Sequence, residues 1–107
     1  MSEFYIPSAI GLDTGVQASA SSASLATLLG YTSATKTQGR RSGFYIAAIG
    51  SDVYMRGFKF GDNPPTVSSS DYRIKIPQGN GATVIVAKRS LDFSITAAGS
   101  FAVQEIE

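Results

Sequence analysis

Asp71-Tyr72-Arg73-Ile74-Lys75-Ile76-Pro77-Gln78-Gly79-Asn80-Gly81-Ala82-Thr83-Val84-Ile85-Val86-Ala87 is the stretch whose reading decides the fold class. Tyr72, Ile74 and Ile76 fall on one face and Arg73 and Lys75 on the other, the period of two that marks a strand with one wet side. Pro77 ends that strand because it cannot donate to a ladder, and Gln78-Gly79-Asn80-Gly81 supplies residues that tolerate positive φ in a reversal. The reading is a hairpin into a second strand over 82–87. That strand is apolar on both faces, as suits the middle of a sandwich or a position under a partner.

The same alternation extends in both directions. Leu91, Phe93 and Ile95 alternate with Asp92, Ser94 and Thr96, and Ala97-Ala98-Gly99-Ser100 then turns the chain into a strand over 101–106 with Phe101 and Val103 on one face. Upstream, residues 43–49 and 52–60 read as two strands separated by Gly50-Ser51, with Gly57 as a bulge or bend. Residues 17–29 mix helix formers with serines that compete for backbone hydrogen bonds, so a short helix and an extended strand are both open. Gly30 suits a helix C-cap and favours the helical turn. The resulting expectation is an all-β fold, a small antiparallel β-sandwich or barrel that is jelly-roll-like, with one short helical turn in the first third.

A chain of 107 residues suits one core. Its expected organisation is an N-terminal arm over 1–16 and a single β-domain over 17–107 with an exposed loop at 32–43, a stretch without large apolar side chains. With no cysteine, neither a disulfide nor Cys-ligated metal supplements the core. The N-terminus lacks the basic and apolar regions of a secretory signal, and no apolar run is long enough for a bilayer-spanning helix. Membrane association is therefore not expected.

Composition also narrows the chemistry. There is no histidine, so a Ser-His-Asp or Cys-His arrangement is excluded and the many serines read as turn and surface residues. The carboxylates Asp52, Asp62, Asp71, Asp92, Glu105 and Glu107 sit at strand starts, turns or the terminus, where solvated residues are ordinary. Gly61-Asp62-Asn63 falls short of a calcium loop, and Gly79 and Gly81 precede a strand rather than a phosphate-binding helix. No catalytic, cofactor-binding or metal-binding residue is assigned, and the protein is expected to be non-enzymatic.

Nine basic and eight acidic residues give a net charge of +1, without the broad positive field of a nucleic-acid binder. Charged residues make up 16% of the chain, against about 25% in ordinary domains, so hydroxyl and amide side chains must cover much of the surface. Arg40-Arg41, near Lys36 and followed by Phe44 and Tyr45, is the one concentrated positive patch. It reads as a solvated or protein-contacting loop ahead of a base-stacking one. Phe4-Tyr5-Ile6-Pro7 is an apolar arm, read either as an edge strand on its own sheet or as a segment docking on a neighbouring subunit. Asp62 and Asn63 occupy a rigid tip, Gly61-Asp62-Asn63-Pro64-Pro65, suited to a projection or a contact with a symmetry mate. The expected partner-binding residues are thus Phe4, Tyr5, Ile6, Arg40, Arg41, Asp62 and Asn63.

The chain resembles small β-sandwich virion proteins of bacteriophages. The resemblance rests on Ala18-Ser19-Ala20-Ser21-Ser22-Ala23-Ser24-Leu25, on Gly50-Ser51-Asp52-Val53-Tyr54-Met55-Arg56 with Phe60-Gly61-Asp62, on Tyr72-Arg73-Ile74-Lys75-Ile76-Pro77-Gln78-Gly79, and on Leu91 to Ser100. It implies a virion component assembled in the host cytoplasm, binding the capsid exterior as a decoration or cement protein. Its partners would be the major capsid protein or other virion proteins, with the chain itself a dimer or trimer. The alternative it leaves open is attachment on a tail or fibre, where exposed aromatics such as Tyr31, Tyr54 or Tyr72 beside Asp or Asn would bind a receptor or glycan.

Overall fold

The computed structural model describes residues 10–31 and 41–106, with side chains from Leu12 onward. Among these residues there are eight strands and one short helix: β1 (Ile10–Gln17), β2 (Ala20–Ser24), α1 (Leu25–Leu29), β3 (Gly43–Ala48), β4 (Val53–Lys59), β5 (Ile74–Ile76), β6 (Ala82–Ile85), β7 (Leu91–Ala97) and β8 (Phe101–Ile106). They form two four-stranded antiparallel sheets, sheet A in the order β1-β8-β3-β6 and sheet B in the order β2-β7-β4-β5. The pairs β1·β8, β2·β7, β3·β6 and β4·β5 are the rungs of one long hairpin whose two arms are rolled up together. The additional pairs β3·β8 and β4·β7 close the roll. This is the strand order of a jelly roll, so the expected fold class is the one observed.

The hairpin expected between 71–76 and 82–87 does not form. β5 pairs with β4 in sheet B, whereas β6 pairs with β3 in sheet A. The intervening turn is tied instead to the connection between β3 and β4. The Gln78 N–H donates to Asp52 Oδ1 at 2.8 Å, the Gln78 side chain to the Ile49 carbonyl at 3.1 Å, and the Gly79 N–H to the Ala48 carbonyl at 3.1 Å. Those bonds carry the chain from one sheet to the other, whereas a tight hairpin uses a loop of about two residues. Consequently β6 is an edge strand, not a central one.

Two further expectations change. Residues 10–16, assigned to an N-terminal arm, enter the domain as β1, because their backbone completes the edge of β8. Gly57 introduces no bulge. The β4·β7 register runs unbroken from Val53↔Ala97 to Lys59↔Leu91, and Gly57 stands opposite Phe93, whose ring would lie 3.3 Å from an added Cβ. The glycine makes room for a core aromatic.

Between the sheets lie Phe44, Ile46, Val53, Met55, Phe93, Ile95, Phe101 and Val103, with Leu25 and Leu29 of α1 closing one end. Phe44 and Phe93 meet edge to face with centroids 5.3 Å apart. Residues 17–29 realise both readings of their sequence, a strand and then a helical turn. The Ser24 hydroxyl caps α1 by accepting from the Thr27 N–H at 3.2 Å, and Gly30 ends it at φ 73°. Beyond Phe60 the long connection to β5 crosses the outer face of sheet B, held where the Ser22 hydroxyl accepts from the Val67 N–H at 3.1 Å and Val67 becomes buried.

At the end opposite α1, Gly50 and Gly99 pass back to back. An added Cβ on Gly99 would stand 2.6 Å from the Gly50 carbonyl carbon. Replacing Gly99 by alanine is expected to cost about 1–3 kcal/mol through this overlap. Urea denaturation of Gly99→Ala beside the parent protein checks it; unchanged stability would contradict the close crossing.

Candidate functional site

Glu105 continues the inward alternation of Phe101 and Val103 on β8 and is fully buried. Each of its oxygens accepts two hydrogen bonds. Oε1 takes the Leu12 N–H at 3.0 Å and Arg89 Nη2 at 2.6 Å, while Oε2 takes Arg89 Nε at 3.0 Å and the Tyr31 hydroxyl. The Arg89 guanidinium also lies over the Tyr31 ring, 4.6 Å from its centroid. Arg41 joins from the start of β3. It donates to the carbonyls of Ala87 (2.9 Å), Lys88 (2.6 Å) and Leu91 and to the Tyr31 hydroxyl (3.3 Å). Nearby, Asp92 Oδ1 accepts from the N–H groups of Ala26 (3.2 Å) and Phe93 (2.7 Å), tying α1 to β7.

The electrostatics follow from these contacts. Burial opposes ionisation of Glu105, but hydrogen bonds from Arg89, Tyr31 and Leu12 outweigh it and hold the carboxyl below its ordinary range. Burial, then the hydrogen bond to Glu105, raises Tyr31 far above the ordinary tyrosine value, so its hydroxyl remains a donor. Burial raises Asp92 despite the backbone N–H groups that favour its charged form, and burial also lowers Arg41. With every lone-pair direction of its carboxylate occupied, Glu105 is a clamp rather than a proton carrier. It joins β8 to β1, to the β6–β7 connection and to Tyr31 beyond α1.

Arg41 is therefore not the exposed loop residue expected from the sequence. It is 3% exposed, and burial brings its guanidinium onto three carbonyls and against the Phe44 ring. Tyr31, expected as an exposed aromatic, is half-buried in the same cluster. Asp62 and Asn63 are exposed just past Phe60, whose ring lies 6.2 Å from that of Tyr31, so the tip stands at the same end of the sandwich as Arg41. Phe4, Tyr5, Ile6 and Arg40 lie outside the described residues. Glu105 and Asp92, read from the sequence as ordinary solvated carboxylates, are instead buried, and Arg89 carried no role there; the alternation Phe101-Val103-Glu105 is the signal that puts the Glu105 carboxylate on the core face.

Two surfaces remain accessible. On the outer face of sheet A, the register aligns Val84, Tyr45 and Gln104 in one row and Ala82, Ala47, Ala102 and Val16 in the next. The first row ends on β1 at Asp13, an exposed carboxylate, and the other side chains of the two rows are uncharged. Val84 is 44% exposed and Val16 70% exposed, and at the α1 end of the face Ser42, Gly43, Val84, Val86 and Ile106 line a hollow of about 310 Å³. On the outer face of sheet B, Ser51, Asp52, Tyr54, Ser69, Gln78 and Ala98 line a polar hollow of about 370 Å³. Tyr54 packs against Tyr72 with centroids 4.9 Å apart, and Lys75 pairs with Asp52 at 3.5 Å. The Gln78 N–H, then Lys75, hold Asp52 below the ordinary carboxylate range.

No family model, no curated protein and no solved structure matches the chain. Among the described residues no group of three or more His, Cys, Asp or Glu side chains could hold a metal ion, and no helix is long and apolar enough to cross a membrane.

Replacing Glu105 by glutamine leaves Arg89 buried beside a neutral group and is expected to cost about 3–5 kcal/mol at neutral pH. Because the folded protein holds Glu105 below its unfolded value, this stabilisation is complete above the unfolded value and fades as pH falls through the folded one. Denaturation of both proteins across the acid range should therefore show the gap closing toward low pH. A gap independent of pH would contradict the role of the carboxylate's charge.

Proposed function

We propose that this protein is a non-enzymatic virion component that binds the outside of a phage capsid as a decoration or cement protein. The observation that carries the reading is the outer face of sheet A. It is a largely apolar surface of Tyr45, Ala47, Ala82, Val84, Ala102 and Val16, with Asp13 at its β1 edge, on a domain whose other sheet carries the ion pairs of Arg56 and Arg73 with Asp71 and of Lys75 with Asp52. Exposed apolar faces of this kind mark protein–protein contacts. A cement protein is repeated at many equivalent junctions, so a modest interface per domain becomes strong through multivalency. Symmetric junctions would favour a dimer or trimer. The sequence resemblance supports the same reading, and the jelly roll is an architecture used in capsids.

The hollow beside Tyr54 favours a second reading, a tail- or fibre-borne attachment module. Its neutral hydroxyl and amide groups beside a tilted pair of tyrosine rings match the chemistry that holds a sugar ring.

Co-sedimentation with undecorated phage particles, together with the temperature at which those particles rupture, tests the capsid reading. The parent protein is expected to bind stoichiometrically and delay rupture, and Ala82→Glu with Val16→Glu to abolish both while leaving the fold intact. Equal binding by the double variant would remove sheet A from the interface, and no binding by the parent protein would overturn the capsid reading.

A further inference from the structure

We propose that a groove over Tyr54 on the outer face of sheet B binds a neutral disaccharide unit of a surface polysaccharide, which rests on the attachment reading above and assigns its ligand class. The polar hollow of Ser51, Asp52, Tyr54, Ser69, Gln78 and Ala98 does not stand alone. A second hollow of about 280 Å³ shares Tyr54, Ser69 and Ala98 with it and continues past Thr96 to Ala20 and Ser68. With those walls in common the two form one groove. At about 370 Å³ and 280 Å³ each is near the lower bound of ordinary ligand sites, about 300 Å³, so the pair suits a ligand of linked rings better than a single ring.

The lining matches a ligand rich in hydroxyl groups. Asp52 Oδ1 accepts the Gln78 N–H at 2.8 Å, Oδ2 lies 3.5 Å from Lys75 Nζ, and Tyr54 also bonds the carboxylate. Of its roughly four lone-pair sites this leaves one for a ligand hydroxyl, on a side chain that is 34% exposed. Thr96 Oγ1 donates to the Ala20 carbonyl at 3.1 Å and keeps its lone pairs as acceptors. The exposed Ser69 hydroxyl, where the hollows meet, bonds no other described residue. The Tyr54 ring supplies apolar surface for the C–H face of a sugar. Its seat against Tyr72, and the Gly99 N–H that holds the Ser51 hydroxyl at 2.8 Å, fix these groups before a ligand arrives.

Charge selects among sugars. Asp52 is the one charged residue lining either hollow. The cations beside it are engaged, Lys75 by Asp52 itself and Arg56 and Arg73 by Asp71. A uronic acid, a sialic acid or a phosphate would therefore meet a carboxylate with no unpaired cation to offset it among the described residues around the groove. The outer faces of the two sheets point in opposite directions, so the groove stays open when sheet A is covered.

Amide spectra of the isotope-labelled full chain, titrated separately with maltose, lactose, cellobiose, mannobiose and diacetylchitobiose, read the site directly. At least one of these is expected to shift the amides of Ser51, Gln78 and Ala98 saturably with a Kd of about 1 mM, and Tyr54→Ala and Ser69→Arg are each expected to raise that Kd about tenfold or more. Ser69 is exposed, so its replacement keeps the fold should Tyr54→Ala lose it. No saturable shift at these amides with any of the sugars would overturn the proposal, as would tighter binding of sialyllactose or digalacturonate. Saturable adsorption to host cells that both variants retain would keep the attachment reading while removing the sugar from this groove. Disaccharide binding at the groove without adsorption to cells would support the site and remove the attachment reading.

Discussion

The buried ion pair of Glu105 and Arg89 is the constraint from which the α1 end of the domain is organised. A carboxylate at the core face of a central strand would be strongly unfavourable unless every oxygen lone pair found a donor. Here the donors come from distant parts of the chain: the Leu12 backbone on β1, Tyr31 after α1, and Arg89 between β6 and β7. Meeting that demand fixes where each segment runs. Arg41 extends the arrangement by collecting the carbonyls of Ala87, Lys88 and Leu91, so a connection with little apolar content is held by polar contacts instead. Such a pair contributes more to a unique arrangement than to net stability, since a well-packed apolar substitute can be equally stable.

The rolled hairpin then determines what is left for recognition. Placing β6 at the edge of sheet A, beside β3 rather than beside β5, turns Val84 and the end of β6 toward solvent and aligns them with Tyr45 and Ala47. The strand that reads as apolar on both sides is therefore apolar inward for the core and outward for whatever covers the face. Sheet B has a different surface because the long connection after β4 crosses it, anchored at Ser22 and Val67. The domain consequently presents one largely apolar side, edged by Asp13, and one side of tyrosines, hydroxyls and ion pairs.

Much of this was legible in the sequence. Alternation located β3, β4, β7 and β8 to within a residue or two, and Gly30 correctly marked the end of the helical turn. Most of the misreadings share one cause, which is that local pattern does not report which strands pair. Pro77 to Gly81 has the composition of a hairpin turn, yet bonds to Asp52, Ile49 and Ala48, remote in sequence, send it between sheets. Gly57 looks like a bulge until Phe93 is placed opposite it. Arg41 looks solvated because the carbonyls it binds belong to a connection more than forty residues away in the chain. Glu105, read as an ordinary solvated carboxylate, is a misreading of another kind, since the alternation of Phe101 and Val103 puts position 105 on the core face.

Hydroxyl-radical labelling of the protein, free and bound to undecorated particles, tests the central claim most directly, because Tyr45 and Val16 report on sheet A and Tyr54 and Tyr72 on sheet B. The account predicts that Tyr45 and Val16 lose reactivity on the particle while Tyr54 and Tyr72 keep theirs. Protection of Tyr54 and Tyr72, with Tyr45 and Val16 unchanged, would contradict it and assign recognition to the polar side of the domain.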